Sequence, residues 1–190
     1  TVVMAQAKLD YEIILVDDGS RDNSFVQMQA LRKNDPRIRV VRFARNFGHQ
    51  LAITAGMRLA RGRSVVVIDC DLQDPPAVIL SFVEKWRAGY EIVHGVRKER
   101  KGETWFKKVS AFLFYRLLRA STKIDIQKDA GDFYLLDRKV IDVLNSMDER
   151  HRFMRGLLAW VGFKRMSVEY VREPRLTGVT KYGFWKMLKF

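Results

Sequence analysis

Short apolar runs alternate with longer segments of helical periodicity along the first half of the chain. The apolar runs predict four strands at Glu12–Val16, Arg39–Phe43, Ser64–Ile68 and Glu91–Gly95. The segments between them predict helices at Ser24–Lys33, Gln50–Arg61 and Ala77–Ala88. This alternation indicates an α/β fold, with a mainly parallel central sheet and helices on both of its faces.

The second half has a less regular pattern. It predicts strands at Phe133–Leu136 and Lys164–Val171 and helices at Arg138–Ser146 and Phe153–Val161. A further helix is predicted at Thr104–Ala120, where large apolar side chains are interrupted by Lys107, Lys108, Arg116 and Arg119. This helix has two interpretations: a core-facing stripe with a solvated basic face, or a surface that lies on an anionic bilayer.

Two groups of acidic side chains follow predicted strands. Asp17 and Asp18 end the first strand, and Asp69, Asp71 and Gln73 follow the third, where the double proline Pro75-Pro76 stops the apolar run. In an extended chain the three residues at positions 69, 71 and 73 project to one side, and their oxygen atoms suit Mg²⁺ or Mn²⁺. The alternative is a strand followed by an ordinary turn and helix cap.

The overall charge is strongly positive. Among 190 residues, 35 Lys and Arg stand against 22 Asp and Glu, which gives a net charge of +13. Such an excess indicates an anionic partner, either nucleic acid, a membrane surface or a phosphorylated substrate. The length fits one domain, and the single cysteine, Cys70, excludes an internal disulfide. No run of apolar residues is long enough to span a bilayer.

Six segments together resemble the family 2 glycosyltransferases of the GT-A fold, and among them the polyprenyl-phosphate hexose transferases, the group of dolichol-phosphate mannose synthases and bacterial undecaprenyl-phosphate glucosyltransferases. The segments cover most of the chain in the order of the family. They are Val16–Asp22, Arg45–Gln50, Asp69–Pro76, Gly131–Phe133, Arg152–Gly156 and Arg175–Tyr182.

The resemblance implies a donor site for a nucleoside diphosphate sugar, with UDP-hexose favoured over GDP-mannose. It assigns the binding of this nucleotide sugar to Asp17, Asp18, Asp69 and Lys181. It also implies a Mg²⁺ or Mn²⁺ ion, held by Asp71 and Gln73 together with Asp69. The ion would offset the charge that develops on the departing nucleotide.

The resemblance also implies an acceptor site for a lipid phosphate. The residues assigned to the phosphate are Arg97, Arg175 and Thr180, and guanidinium suits this role because its planar fork binds two phosphate oxygens. Asp71, Arg97 and Asp132 are the candidate catalytic residues. Since a phosphate is already anionic, Asp132 is expected to orient groups more than to act as a base.

Three departures from the family pattern affect these expectations. The family's first strand and its nucleotide-binding loop have no counterpart in this sequence, and neither do its C-terminal membrane helices. We therefore expect a fragment of a longer, membrane-anchored protein. The usual Ser before the Lys-Tyr pair is Thr180, which keeps the hydroxyl group. Tyr134 stands where bacterial relatives often carry Arg, which would alter the charge of the acceptor site.

The sequence as a whole predicts a single catalytic domain, with a nucleotide-sugar half at about residues 1–96 and an acceptor half at about 97–190. The expected enzyme is an inverting transferase that binds an anionic membrane surface, at the cytoplasmic face of the plasma membrane. A homo-oligomer is one option for its assembly. One alternative is a family 2 transferase with a polysaccharide or other soluble acceptor. A nucleic-acid-binding module is the alternative from another class, although no such motif is present.

Overall fold

The computed structural model describes residues 2–6, 9–98, 130–149 and 152–173. It contains six strands: β1 (Ile13–Asp17), β2 (Ile38–Arg42), β3 (Ser64–Val67), β4 (Ile92–Arg97), β5 (Ala130–Asp137) and β6 (Arg165–Tyr170). The helices are α1 (Val2–Gln6), α2 (Ser24–Asn34), α3 (His49–Leu59), α4 (Val78–Arg87), α5 (Arg138–Ser146) and α6 (Met154–Trp160). Over these ranges no helix is long and apolar enough to cross a membrane. The predicted helix Thr104–Ala120 lies outside the described residues.

The strands form two sheets. Strands β1 and β2 pair in parallel, and the other sheet has the order β3-β5-β4-β6. In this four-stranded sheet β5 is antiparallel to both β3 and β4, while β6 is parallel to β4. The α/β fold is confirmed, and β3, β4 and β6 run in one direction. The opposite direction of β5 was not expected, because an apolar run specifies burial on both faces but not strand direction.

Both faces of the four-stranded sheet carry a hydrophobic core, and β5 contributes to each in alternation. Tyr134 and Leu136 pack in a cluster with α3, α5 and α6, whereas Phe133 and Leu135 pack in a second cluster with α4. All four side chains are fully buried. Burial of a large apolar side chain contributes about 1.5–3 kcal/mol of hydrophobic free energy. The expected arrangement of helices on both faces is therefore confirmed.

Tyr134 is a core residue. Its side chain is fully buried in the first of these clusters and packs edge-on against His94. Successive side chains of a strand point to opposite faces, so Tyr134 and its neighbour Phe133 pack in different clusters. The expected effect of this position on the charge of the acceptor site stays a prediction.

Candidate functional site

The first acidic group holds a turn and a loop together at the end of β1. Asp17 is buried, and its carboxylate accepts from the backbone N–H of Ser20 at 2.8 Å and lies 3.3 Å from Nε of Arg42. Asp18 accepts from the backbone N–H groups of Phe47 and Gly48 at 2.7 and 2.9 Å. Both carboxylates thus have structural partners, which fits the turn interpretation, and their role toward a nucleotide stays a prediction.

The same contacts join two of the motifs that are far apart in sequence. Asn46 donates to the carboxylate of Asp18 at 2.8 Å and to its carbonyl at 3.1 Å. Gly19 has φ of 70°, and a Cβ atom there would lie 2.5 Å from the carbonyl carbon of Arg45. Only glycine fits such a close approach in this conformation. The turn after β1 and the loop before α3 therefore form one unit.

The second acidic group lies on a loop, not on an extended strand. Strand β3 ends at Val67, two residues before Asp69, and Leu72 adopts a positive φ of 56°. Asp71 accepts from the backbone N–H of Gln73 at 3.1 Å, a bond that closes the turn. The chain is therefore not extended at positions 69, 71 and 73, so the geometric reason for expecting them on one side does not hold, and their role toward a metal ion stays a prediction. In the described part of the chain, no group of three acidic, His or Cys side chains lies close enough to form a metal site.

The electrostatic setting of Asp69 nevertheless fits a cation. Burial raises the pKa of Asp69, and the negative charges of Asp71, Asp74 and Asp132 raise it further, while His49 opposes the shift. A bound cation would relieve this repulsion. Mg²⁺ commonly takes only one or two carboxylates from the protein and completes its shell with phosphate oxygens and water, so Asp69, Asp71 and Gln73 suit such an ion.

A second set of polar side chains converges on Asp132, which lies on β5 and is buried. His49 places Nε2 3.0 Å from Oδ2 of Asp132, and Gln50 donates to the same oxygen at 3.2 Å. Arg155 donates to the other oxygen at 3.3 Å. Burial alone would raise the pKa of Asp132, but the hydrogen bond with His49 and the charge of Arg155 outweigh it and lower the pKa. Asp132 is therefore a carboxylate at neutral pH.

His49 connects the two acidic regions. Its Nε2 atom, which contacts Asp132, also lies 3.9 Å from Oδ1 of Asp69. The hydrogen bond to Asp132 raises the pKa of His49, and the charge of Asp69 adds to this effect. Sequence reasoning did not single out His49, Gln50 or Arg155, although all three lie in the motifs that carried the resemblance. The sequence does not reveal their contacts with Asp132, which lies 83 residues along the chain from His49.

Arg97 ends β4 beside the backbone that precedes Asp132. A Cβ atom on Gly131 would lie 2.7 Å from a terminal nitrogen of Arg97, so the guanidinium group rests against this glycine. Its Nε atom donates to the hydroxyl of Tyr170 at 3.5 Å. Tyr170 belongs to the cluster on the α4 side of the sheet, whereas the partners of Asp132 lie on α3 and α6. The structure therefore places Arg97 beside the residue that precedes Asp132, but the two side chains have different neighbours. The other predicted residues, Arg175, Thr180 and Lys181, lie outside the described residues.

Most of the chain matches a known family. Residues 2–144 match the model of the glycosyl transferase family 2. The chain belongs to glycosyl transferase family 2. The resemblance noted in the sequence, to family 2 enzymes of the GT-A fold, is thereby confirmed.

The relatives in this family include both uncharacterised and named glycosyltransferases. The chain is 56% identical over 187 residues to an uncharacterised glycosyltransferase, YkcC, of Bacillus subtilis, covering 98% of this chain and 58% of the relative. It is 40% identical over 178 residues to a prophage bactoprenol glucosyl transferase homolog of Escherichia coli, covering 94% of this chain and 58% of the relative. The family 2 chain described here therefore spans less than two thirds of the length of these relatives.

Solved structures confirm the GT-A fold. The mannosyltransferase PcManGT of Pyrobaculum calidifontis, in complex with GDP-Man and Mn²⁺, is similar with a TM-score of 0.61 at 20% identity, covering 94% of this chain and 51% of that chain. The glucosyl-3-phosphoglycerate synthase of Mycobacterium tuberculosis is similar with a TM-score of 0.53 at 23% identity, covering 88% of this chain and 62% of that chain. At these identities the likeness concerns the fold alone.

Proposed function

We propose that this family 2 chain is the catalytic part of an inverting transferase that moves a hexose from a nucleoside diphosphate sugar to a polyprenyl phosphate. The observation that carries the proposal is the similarity to bactoprenol glucosyl transferases, at 40% identity over 94% of the chain. The acceptor oxygen attacks the anomeric carbon in line as the nucleotide leaves, so the sugar configuration inverts. The chain holds the two substrates in the arrangement that this attack requires.

The donor side comprises Asp17, Asp18 and Asp69, together with Lys181 beyond the described residues. The carboxylates of a nucleotide site accept hydrogen bonds from base N–H and ribose O–H groups. Asp69 and Asp71 with Gln73 would hold a Mg²⁺ or Mn²⁺ ion, which when bound neutralises charge on the diphosphate. UDP-hexose is the favoured donor, and GDP-mannose, the ligand of the structurally similar mannosyltransferase, is the alternative.

The acceptor side comprises Arg97, with Arg175 and Thr180 as further proposed phosphate ligands. Asp132, whose carboxylate is ionised, directly follows the glycine that Arg97 contacts. Because the acceptor phosphate is already anionic, Asp132 does not need to remove a proton from it. Its role is to hold His49, Gln50 and Arg155 in place and to orient the sugar and the acceptor.

The charge of the chain favours a membrane-bound acceptor. A net charge of +13 attracts an anionic bilayer, at about 1 kcal/mol for each basic residue near the surface. We place the enzyme at the cytoplasmic face of the plasma membrane, with Thr104–Ala120 as the segment that contacts lipid. Binding to anionic vesicles should weaken with added salt and with Lys107→Glu and Lys108→Glu. Tighter binding to a random oligonucleotide at the same salt would favour the nucleic-acid alternative.

The transfer reaction itself is the direct test. Radiolabelled UDP-glucose and GDP-mannose are incubated with undecaprenyl phosphate or dolichyl phosphate, and the label in the lipid phase is measured. Asp132→Asn should reduce transfer by about 100-fold, the cost of misplaced reacting groups, whereas Asp142→Asn, an exposed control on α5, should not. Label that appears only on a polysaccharide or on free polyprenol would contradict the lipid-phosphate acceptor.

A further inference from the structure

A cavity lies between α3 and the segment that follows α5. Its volume is about 340 Å³, a size that is typical of sites for small molecules. Leu51, Thr54 and Arg58 line it from α3, where their spacing puts them on one face of the helix. Asn145, in the last turn of α5, and Arg152 also line it. None of these residues has a role in the donor and acceptor sites proposed above.

Arg152 is a buried cation in this cavity. It is only 6% exposed. Its Nε and Nη2 atoms donate to the backbone carbonyls of Glu149 at 3.3 Å and Met147 at 2.6 Å, whereas Nη1 is buried without a hydrogen-bond partner. In the described part of the chain its contacts are with carbonyls and not with a carboxylate. A buried charge without a counter-ion costs free energy, so an anion bound here would be stabilised.

Arg58 adds a second guanidinium group. It lies in the last turn of α3, is exposed, and lines the same cavity as Arg152. The planar fork of a guanidinium group binds two oxygens of a phosphate or carboxylate group. Two such groups, one buried and one open to solvent, therefore favour an oxyanion over a neutral ligand.

The cavity also contains hydrogen-bond acceptors, which an oxyanion does not satisfy. Oδ1 of Asn145 is buried without a hydrogen-bond partner. The hydroxyl of Thr54 donates to the carbonyl of Gln50 at 2.8 Å, so toward a ligand this oxygen can only accept. Exposed carboxylates, such as that of Glu149, complete the lining. These acceptors require O–H or N–H donors on the same ligand that carries the anionic group.

We propose that this cavity binds a phosphate ester that carries hydroxyl groups, the chemistry of a polyol phosphate or sugar phosphate. The phosphate contacts Arg58 and Arg152, and the hydroxyl groups donate to Asn145 and Thr54. A neutral polyol would leave the charge of Arg152 without a counter-ion, and inorganic phosphate would satisfy the acceptors less completely. The inference concerns a site apart from the transfer reaction, and it stands or falls independently of the proposed function.

This chemistry has two sources. One is a soluble polyol or sugar phosphate. The other is the head group of a phospholipid such as phosphatidylglycerol, in which a phosphate is esterified to glycerol with free hydroxyl groups. The net charge of +13 would bring the chain to an anionic bilayer that contains such a lipid. Both sources place the same atoms in the cavity, and the experiment below distinguishes them.

Calorimetric titration with glycerol 3-phosphate tests the site. The wild type should bind it saturably at one site, and Arg58→Gln should weaken the binding by about 10-fold, the effect of one hydrogen bond to a charged group. Arg58 is exposed, so this variant carries the test even if Arg152→Gln does not fold. Arg87→Gln, which changes an exposed arginine in the last turn of α4, is the matched control and should bind as the wild type does.

Asn145→Ala tests the hydroxyl part of the ligand. It removes the unpartnered acceptor but leaves both arginines in place. Its affinity for glycerol 3-phosphate should fall by about 5-fold, the effect of one neutral hydrogen bond, while its affinity for inorganic phosphate should stay that of the wild type. Saturation of the wild type with UDP and Mn²⁺ should leave the affinity for glycerol 3-phosphate unchanged, because the cavity is separate from the proposed donor site.

Vesicles separate the two sources. Phosphatidylglycerol and phosphatidylserine vesicles are compared at equal anionic lipid content, so that their general attraction for a basic chain is similar. A preference for phosphatidylglycerol that glycerol 3-phosphate abolishes and Arg58→Gln lacks would assign the cavity to the lipid head group. Binding of glycerol 3-phosphate without such a preference would assign it to a soluble phosphate ester.

Three results would overturn the inference. The first is that the wild type binds neither glycerol 3-phosphate nor phosphatidylglycerol in preference to phosphatidylserine. The second is that Arg58→Gln binds glycerol 3-phosphate with wild-type affinity, which would place the ligand elsewhere. The third is displacement of glycerol 3-phosphate by UDP with Mn²⁺, which would place it in the donor site.

Discussion

The Nε2 atom of His49 lies 3.0 Å from Oδ2 of Asp132, and this contact joins the first turn of α3 to strand β5. The pKa of His49 is raised by its hydrogen bond to Asp132, and the pKa of Asp132 is lowered although burial opposes the change. The two residues therefore favour each other's charged forms. The pair lies next to the loop that carries Asp69, because Nε2 of His49 is 3.9 Å from Oδ1 of Asp69.

The first prediction is that Asp132→Asn lowers the pKa of His49. In the wild type the pKa should lie above the ordinary value of 6.5, and it should fall in the variant because the hydrogen bond to a carboxylate is lost. The stability from the pair is fully present below pH 6.5 and is lost as the pH rises through the pKa of the folded state. NMR titration of the imidazole measures the pKa. Equal His49 titrations in wild type and variant would show that the contact does not exist in solution.

The second prediction concerns Gln50, which bridges Asp132 and the start of α6. Its Nε2 donates to Asp132, and its Oε1 accepts from the backbone N–H of Met154 at 3.0 Å. Gln50→Glu keeps the acceptor for Met154 but places a second carboxylate next to Asp132. Transfer should fall by about 10-fold or more, the cost of a hydrogen bond to a charged group. It should recover partly at lower pH, where the new carboxyl group is protonated.

A matched control separates this effect from a general response to added charge. Gln27→Glu introduces the same change on the exposed face of α2 and should leave transfer unchanged. If Gln50→Glu has wild-type activity across the pH range, then Gln50 does not set the position of Asp132.

Local features of the sequence predicted the elements well. The helix expected at Arg138–Ser146 has those bounds in the structure, because Asp137 caps it by accepting from the backbone N–H of Lys139 and apolar residues follow at helical spacing. Strand Ser64–Val67 ends one residue earlier than expected. Helix caps and the ends of strands depend on neighbouring residues in the sequence, so the pattern of apolar and polar positions predicts them.

The arrangement of the candidate site depended on distant contacts and was predicted less well. Gln50 and Met154 are 104 residues apart, and their bond follows from the packing of α3, β5 and α6, which no local pattern encodes. Likewise the spacing of Asp69 and Asp71 suggested an extended chain, whereas the positive φ of Leu72 turns it. The residue types were informative, but their orientation required the fold.

The third prediction is that Tyr134→Phe leaves the protein as stable or makes it more stable. The Tyr134 hydroxyl is buried and has no hydrogen-bond partner among the described residues. Burying an unpaired hydroxyl costs about 1–3 kcal/mol, and phenylalanine removes this cost with the ring in place. Urea unfolding measures the change. A loss of more than about 1 kcal/mol would mean that the hydroxyl has a partner in solution.

The fourth prediction is a loss of stability in acid that arises from His94. Burial lowers the pKa of His94 to about 4 from its ordinary value of 6.5. The unfolded chain therefore binds a proton that the folded chain rejects, so stability falls as the pH drops from 6.5 toward 4. The expected loss from this residue is about 3 kcal/mol at pH 4.

The contribution of His94 is measured by urea unfolding at pH 7 and pH 4 in the wild type and in His94→Gln. The variant has no group that titrates at this position, so the drop in stability between the two pH values should be smaller by about 3 kcal/mol. His49 serves as the comparison, because its raised pKa has the opposite sign. Equal drops in wild type and His94→Gln would show that His94 is not held neutral by the fold.

The fifth prediction is that Asp71→Asn removes metal-dependent binding of the donor nucleotide without unfolding the protein. The amide side chain of this variant keeps an oxygen that can accept from the backbone N–H of Gln73, so the turn should persist. The missing charge should weaken binding of the metal ion by about 10-fold or more, since one or two carboxylates provide most of the attraction at such a site. Because Asp71 lies on a loop outside the core clusters, stability should change by less than about 0.5 kcal/mol.

Titration of UDP into the chain with Mn²⁺, and again after chelation, measures the effect. The wild type should bind the nucleotide more weakly after chelation, whereas the affinity of Asp71→Asn should be low in both conditions. Asp148→Asn, an exposed change near the end of α5, should respond to Mn²⁺ as the wild type does. A variant at position 71 that still gains affinity from Mn²⁺ would place the ion on other residues. Asp69 and Gln73 would then need to be tested without Asp71.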